Sequence, residues 1–195
     1  LLAAAALFAT TVLSAQGVNV QKLDDEKYTV TNGDVTLTVD VAHGAKILSF
    51  QLGGKEVIAQ NPAAAPAEDG QPRRRWFNPN SYGSTFWTSP QAEWNWPPVA
   101  EYDSLPYSVE SADASTLVVA GQPSRFGYRV QKAFSADPAD GAIVVTYSIV
   151  NESGETRKVA PWAITRVPNG GYFQVDGGGG GARMETAVTR GEPCR

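Results

Sequence analysis

The sequence predicts an all-β chain, a large antiparallel β-sandwich, on three observations. Apolar and polar residues alternate with period two wherever a regular pattern exists, and short runs of this kind recur between polar turns. No stretch after the first residues carries the apolar spacing of an amphipathic helix. The 195 residues, 42% of them hydrophobic, suffice for one sizeable core and are compatible with a single domain.

The opening LLAAAALFATTVLSAQG is an apolar run too short to span a bilayer and ends in small residues around Ser14 and Ala15. It has the composition of the h-region and cleavage end of a secretory signal peptide, with neither an initiator Met nor a basic n-region before it. Residues 1–15 are therefore expected to be a signal peptide whose own start is missing, which predicts a periplasmic or secreted location. The sandwich domain is expected over 16–168 and a Gly-rich irregular tail over 169–195.

From Tyr28 the chain turns to strand patterning. Val35, Leu37, Val39 and Val41 alternate with Thr36, Thr38 and Asp40 after the Asn32-Gly33 turn signal. Gly44-Ala45 leads into Lys46 to Leu52, and Gly53-Gly54 joins that run to Lys55–Ile58 as a hairpin. His43, at the turn before it, reads as a solvated or backbone-bonded residue. Asn61 to Gln71 is Pro/Ala-rich without period and reads as a surface loop, with Arg73, Arg74 and Arg75 just beyond it. Later strands are expected at Tyr107–Glu110, Thr116–Ala120, Phe126–Phe134, Ile143–Val150 and Arg157–Val167. Beyond Pro168 the alternation ends; Gly177 to Gly181 are consecutive glycines that bury little, and the sheet is expected to be incomplete at that end.

Between the two halves lies GSTFWTSPQAEWNWPP, Gly83 to Pro98, which gathers Trp87, Trp94 and Trp96 beside Phe86, Gln91, Glu93 and Asn95. Pro90, Pro97 and Pro98 break a helix and remove strand donors, so the segment is expected to be an ordered but largely irregular excursion. Such a loop offsets its ordering cost by plugging its rings into the core or by offering them to a ligand. Aromatic faces flanked by amide and carboxylate groups suit the apolar face and hydroxyl edge of a sugar. Both readings stand at this point.

The composition excludes some classes. A net charge of -4 and a pI near 5.0 give no basic field for nucleic acid. A single cysteine, Cys194, rules out an intrachain disulfide, and one histidine rules out a His-rich metal site, so no metal or cofactor is expected. No membrane span is expected once the signal is removed.

In NGDVTLTVDVAHGAKILSFQLGGKEVI, in GSTFWTSPQAEWNWPP and in VTYSIVNESGETRKVAPWAITRV the chain resembles the DUF4380 family, related to the galactose mutarotase-like (aldose 1-epimerase-like) superfamily. The resemblance covers roughly Tyr28 to Val167 and implies a supersandwich with a sugar bound on a concave sheet surface. In mutarotases a carboxylate acts as general base and a histidine as general acid, a division that proton transfer at one pH requires. Here the strand where that histidine is expected reads VAPWAITRV, with Trp162, Thr165 and Arg166 and no histidine. The expectation is thus an exported carbohydrate-binding domain: Trp87, Trp94 and Trp96 for stacking, Gln91 and Glu93 for hydroxyl hydrogen bonds, and Arg166 for an anionic or hydroxyl group. Membership of a sugar epimerase is an open extension whose acid and base the sequence does not identify. The alternative is a non-catalytic structural or protein-interaction sandwich with a tryptophan plug.

Overall fold

The computed structural model describes residues 18–60, 82–137 and 142–168. The expected signal peptide, the expected loop Asn61 to Gln71 with Arg73 to Arg75 beyond it, and the expected Gly-rich tail lie outside these residues. In chain order the strands are β1 (Asn19–Lys22), β2 (Lys27–Asn32), β3 (Val35–Asp40), β4 (Lys46–Leu52), β5 (Lys55–Glu56), β6 (Ser84–Ser89), β7 (Ser108–Ala112), β8 (Leu117–Ala120), β9 (Tyr128–Ala136), β10 (Ile143–Asn151) and β11 (Ala160–Thr165). One helical turn, α1 (Ala100–Asp103), and a 3-10 turn at Gln91–Glu93 interrupt them. Among the described residues no helix is long and apolar enough to cross a membrane.

The strands form two antiparallel sheets, as the alternation predicts. The larger runs β1-β2-β3-β4-β6-β11 with β5 added to β4, and the smaller runs β10-β9-β8-β7. Period two places Val30, Leu37, Val39 and Phe86 of the first against Leu117, Val119, Val130 and Phe134 of the second, all buried. Phe86 stacks flat on Tyr147 across the layers, with centroids 4.4 Å apart. A largely apolar cavity of about 380 Å³ remains between the sheets, where Ile47 and Ser84 face Val145 and Tyr147.

Several boundaries differ from those expected; β11 is shorter than the run Arg157–Val167, and β7 is Ser108–Ala112 rather than Tyr107–Glu110. The aromatic segment is not irregular throughout: Ser84–Ser89 is a strand inside the large sheet, paired along its length with β11, and five of its six residues are buried. All three prolines fall after Ser89, so none removes a donor from the ladder, and Thr85, Phe86, Trp87 and Thr88 are good strand formers. The excursion proper starts at Pro90. β9 begins at Tyr128 because Gly127, at φ +76, completes a turn from Ser124. β1 carries no alternation in its sequence, since an edge strand that is mostly exposed need not bury one side.

Candidate functional site

The parity of the strands defines the face of interest. Ser84 and Phe86 point at the second sheet, so Thr85, Trp87 and Ser89 point away from it. β11 runs beside β6 in register, which sets Trp162 opposite Trp87 and Ile164 opposite Thr85 on that outward face. Ile47 points inward, hence Lys46 and its neighbour across the ladder, Asp40, point outward too.

Four indoles meet there. Trp87 lies edge-on to Trp94 at 5.9 Å, to Trp96 at 6.2 Å and to Trp162 at 5.4 Å. Trp87 and Trp94 are only 6% and 5% exposed, and each has its N–H satisfied: Trp87 Nε1 donates to Asp103 Oδ1 at 2.8 Å, Trp94 Nε1 to the Thr88 carbonyl at 2.9 Å. Trp96, 60% exposed, is the ring presented to solvent. The chain reaches it through Asn95, whose φ of +55 turns the backbone back over the sheet.

The remaining expected residues divide. Gln91 is exposed in the 3-10 turn that starts the excursion. Glu93 is mostly buried; Oε1 lies 3.6 Å from Arg157 Nη1, while Oε2 is buried without a hydrogen-bond partner. Arg166 sits apart from the tryptophans, where its Nη1 donates to the Tyr82 carbonyl at 3.4 Å and to Thr85 Oγ1 at 3.2 Å. Trp87, Trp94 and Trp96 are thus brought together with Trp162, with Glu93 just before Trp94 in the chain.

A group of charged residues without a local sequence signal completes the face. The Lys46 ammonium rests on the Tyr82 ring, 4.6 Å from its centroid. Burial lowers the Lys46 pKa; Asp103 opposes that shift, Arg166 adds to it and Asp40 opposes it. Burial likewise lowers the Arg166 pKa against the pull of Asp103. Asp40 accepts from His43 Nδ1 at 3.0 Å and from the Ala42 N–H at 3.0 Å, so the exposed imidazole is held by a buried carboxylate. A neutral His43 donating from Nδ1 presents Nε2 as an acceptor. Beneath this face Lys132 rises from β9, wholly buried, and donates to the carbonyls of Gly44 at 2.6 Å and Ala45 at 3.0 Å. Lys46 and Asp40 sit at strand ends, where a charge reads as solvated, and Asp103 and Lys132 reach this region only through tertiary packing.

The arrangement sets one exposed indole, Trp96, on a support of largely buried aromatic rings, beside two cations and several hydrogen-bonding groups. Among the described residues no group of His, Cys, Asp and Glu is placed to hold a metal ion. No family model, curated protein or solved structure was found to match this chain.

Proposed function

We propose that this β-sandwich is an exported carbohydrate-binding domain of mutarotase-like kind that stacks a sugar ring on the outward face of its large sheet. The observation that carries the reading is Trp96: an indole 60% exposed, packed edge-on against a buried tryptophan that is itself hydrogen-bonded. A large apolar ring held in water by a rigid support loses little conformational entropy on binding and gains from desolvation. Binding rather than turnover is proposed, because the strand expected to supply an acid presents Trp162 and Arg166, neither of which gives up a proton readily.

The burial of Trp87 and Trp94 favours a second reading, in which the cluster is a structural plug whose exposed Trp96 meets a protein. Trp96→Ala separates the two. Its stability should change by no more than about 0.5 kcal/mol, as expected for a surface substitution, while affinity for a sugar found by screening neutral mono- and oligosaccharides should fall about tenfold or more. Tryptophan fluorescence titration and calorimetry read both. No sugar response in the wild type, or unchanged binding in the variant, would leave the protein-contact reading in place.

A further inference from the structure

We propose that Lys46 and Arg166, with Tyr82 and Thr85, form an oxyanion subsite on the outward face of the large sheet that takes the carboxylate of an acidic sugar. The inference rests on the sugar-binding reading for its ligand, but its own footing is the state of these two cations.

Lys46 is only 4% exposed, and a buried ammonium with no carboxylate in contact is costly unless something anionic meets it. Among the described residues neither Lys46 nor Arg166 has a carboxylate within salt-bridge distance. The two acids that act on Lys46 through space, Asp103 and Asp40, lie beyond salt-bridge distance and are held by other donors, Asp103 by the Trp87 indole and Asp40 by His43 Nδ1 and the Ala42 N–H, so they offset the charge without contacting it. Arg166 uses Nη1 for the Tyr82 carbonyl and Thr85 Oγ1, which fixes the plane of a guanidinium whose other N–H groups make no hydrogen bond among the described residues. A fixed guanidinium fork is the geometry that reads a carboxylate, and the nearby ammonium adds a second positive charge without directional demand.

The position of Thr85 joins the subsite to the tryptophan face. Thr85 and Trp87 are alternate residues on β6, about 7 Å apart along the strand. The Trp96 ring centroid lies 6.2 Å from that of Trp87. Thr85, which holds Arg166, is thus one strand step from Trp87 on the same face, so a sugar that reaches both the tryptophan cluster and the guanidinium meets the cations with its carboxylate.

Calorimetric titration of the full chain with matched disaccharides tests this, using α-1,4-digalacturonate against α-1,4-digalactose and cellobiouronate against cellobiose. The acidic member of at least one pair should bind about tenfold tighter or more, as a desolvated charge-assisted pair implies. Lys46→Met and Arg166→Gln should each abolish most of that advantage and leave the neutral affinity in place, whereas Trp96→Ala should weaken both members alike. Arg166→Lys, which keeps the charge and loses the fork, guards against a folding defect and should retain an intermediate preference. Equal affinity for acidic and neutral sugars in the wild type overturns the subsite and leaves the sugar face standing, and so does a loss of neutral binding in Arg166→Gln. A separate arm compares thermal unfolding in sodium acetate and sodium chloride at matched ionic strength. If no sugar binds but acetate stabilises the wild type and not Lys46→Met or Arg166→Gln, the subsite stands and the sugar reading fails; if neither sugar nor acetate acts, both fail.

Discussion

Gly44→Ala is expected to destabilise the fold by more than about 3 kcal/mol, a large part of what a domain of this kind possesses. Gly44 sits at φ +69, where a Cβ costs about 1–2 kcal/mol on its own. Here the added carbon would also collide with the backbone carbonyl of Asp103 in α1. Relief requires α1 or the turn at Gly44 to move, and three bonds are tied to one or the other: Gly44 N–H to the Leu105 carbonyl at 3.0 Å, Lys132 Nζ to the Gly44 carbonyl, and Trp87 Nε1 to Asp103. Gly54→Ala is the matched control, since Gly54 has φ +74 but open space around it, and its cost should be confined to backbone strain of about 1 kcal/mol. Urea unfolding followed by tryptophan fluorescence should give a lower midpoint for Gly44→Ala with an unchanged slope, and a red-shifted native baseline as Trp87 loses its partner. Equal losses in the two variants would mean that α1 yields freely and that Asp103 is not held by this turn.

What the sequence discloses follows from how local each determinant is. Val35 to Val41 and Ile143 to Ile149 announce their strands because one side of each must meet the opposing sheet, and the two-sheet architecture follows from such runs. Ser84–Ser89 lacks that alternation in burial because it is covered on both faces, by Tyr147 on one and by the tryptophan excursion on the other, so its composition reads as aromatic rather than as strand. The tryptophan cluster is legible as residues close in sequence; Trp162 joins it only through the β6–β11 register. Lys46, Asp103 and Lys132 come from three separate elements, and no spacing within any one of them signals that they meet. His43 sits at a turn as expected, but its pairing with Asp40 depends on the backbone path between them.

Lys132 should make this protein more stable as pH rises from about 7 towards 10. Burial drives its pKa from the ordinary 10.5 down to about 7, with Asp103 opposing the shift and Lys46 adding to it. Between those values the unfolded chain holds a proton that the folded chain lacks, so stability increases with pH across that window, by at most about 1.4 kcal/mol per pH unit. Below it both states are protonated and the burial penalty is fully present. The carbonyls of Gly44 and Ala45 and the ring faces of Tyr107 and Tyr147, at 5.1 and 5.9 Å, favour the ammonium and limit the slope. The pKa values of the buried Tyr102, Tyr107 and Tyr147 are raised, which lowers stability only above their ordinary value of 10, so measurements between pH 7 and about 9.5 isolate the lysines. Lys132→Met keeps most of the buried stem, removes the charge and leaves two carbonyls without this donor, at about 1–3 kcal/mol each when desolvated. Its profile should be flatter, with a residual slope of the same sign from Lys46, whose pKa burial also lowers. The gap between the two proteins should therefore shift in favour of the wild type as pH rises. Urea unfolding at half-unit intervals checks this: a flat wild-type profile, or equal slopes in both proteins, would show that the two carbonyls keep the amine charged throughout and that the turn at Gly44 and Ala45 is bound by an ammonium at every pH tested.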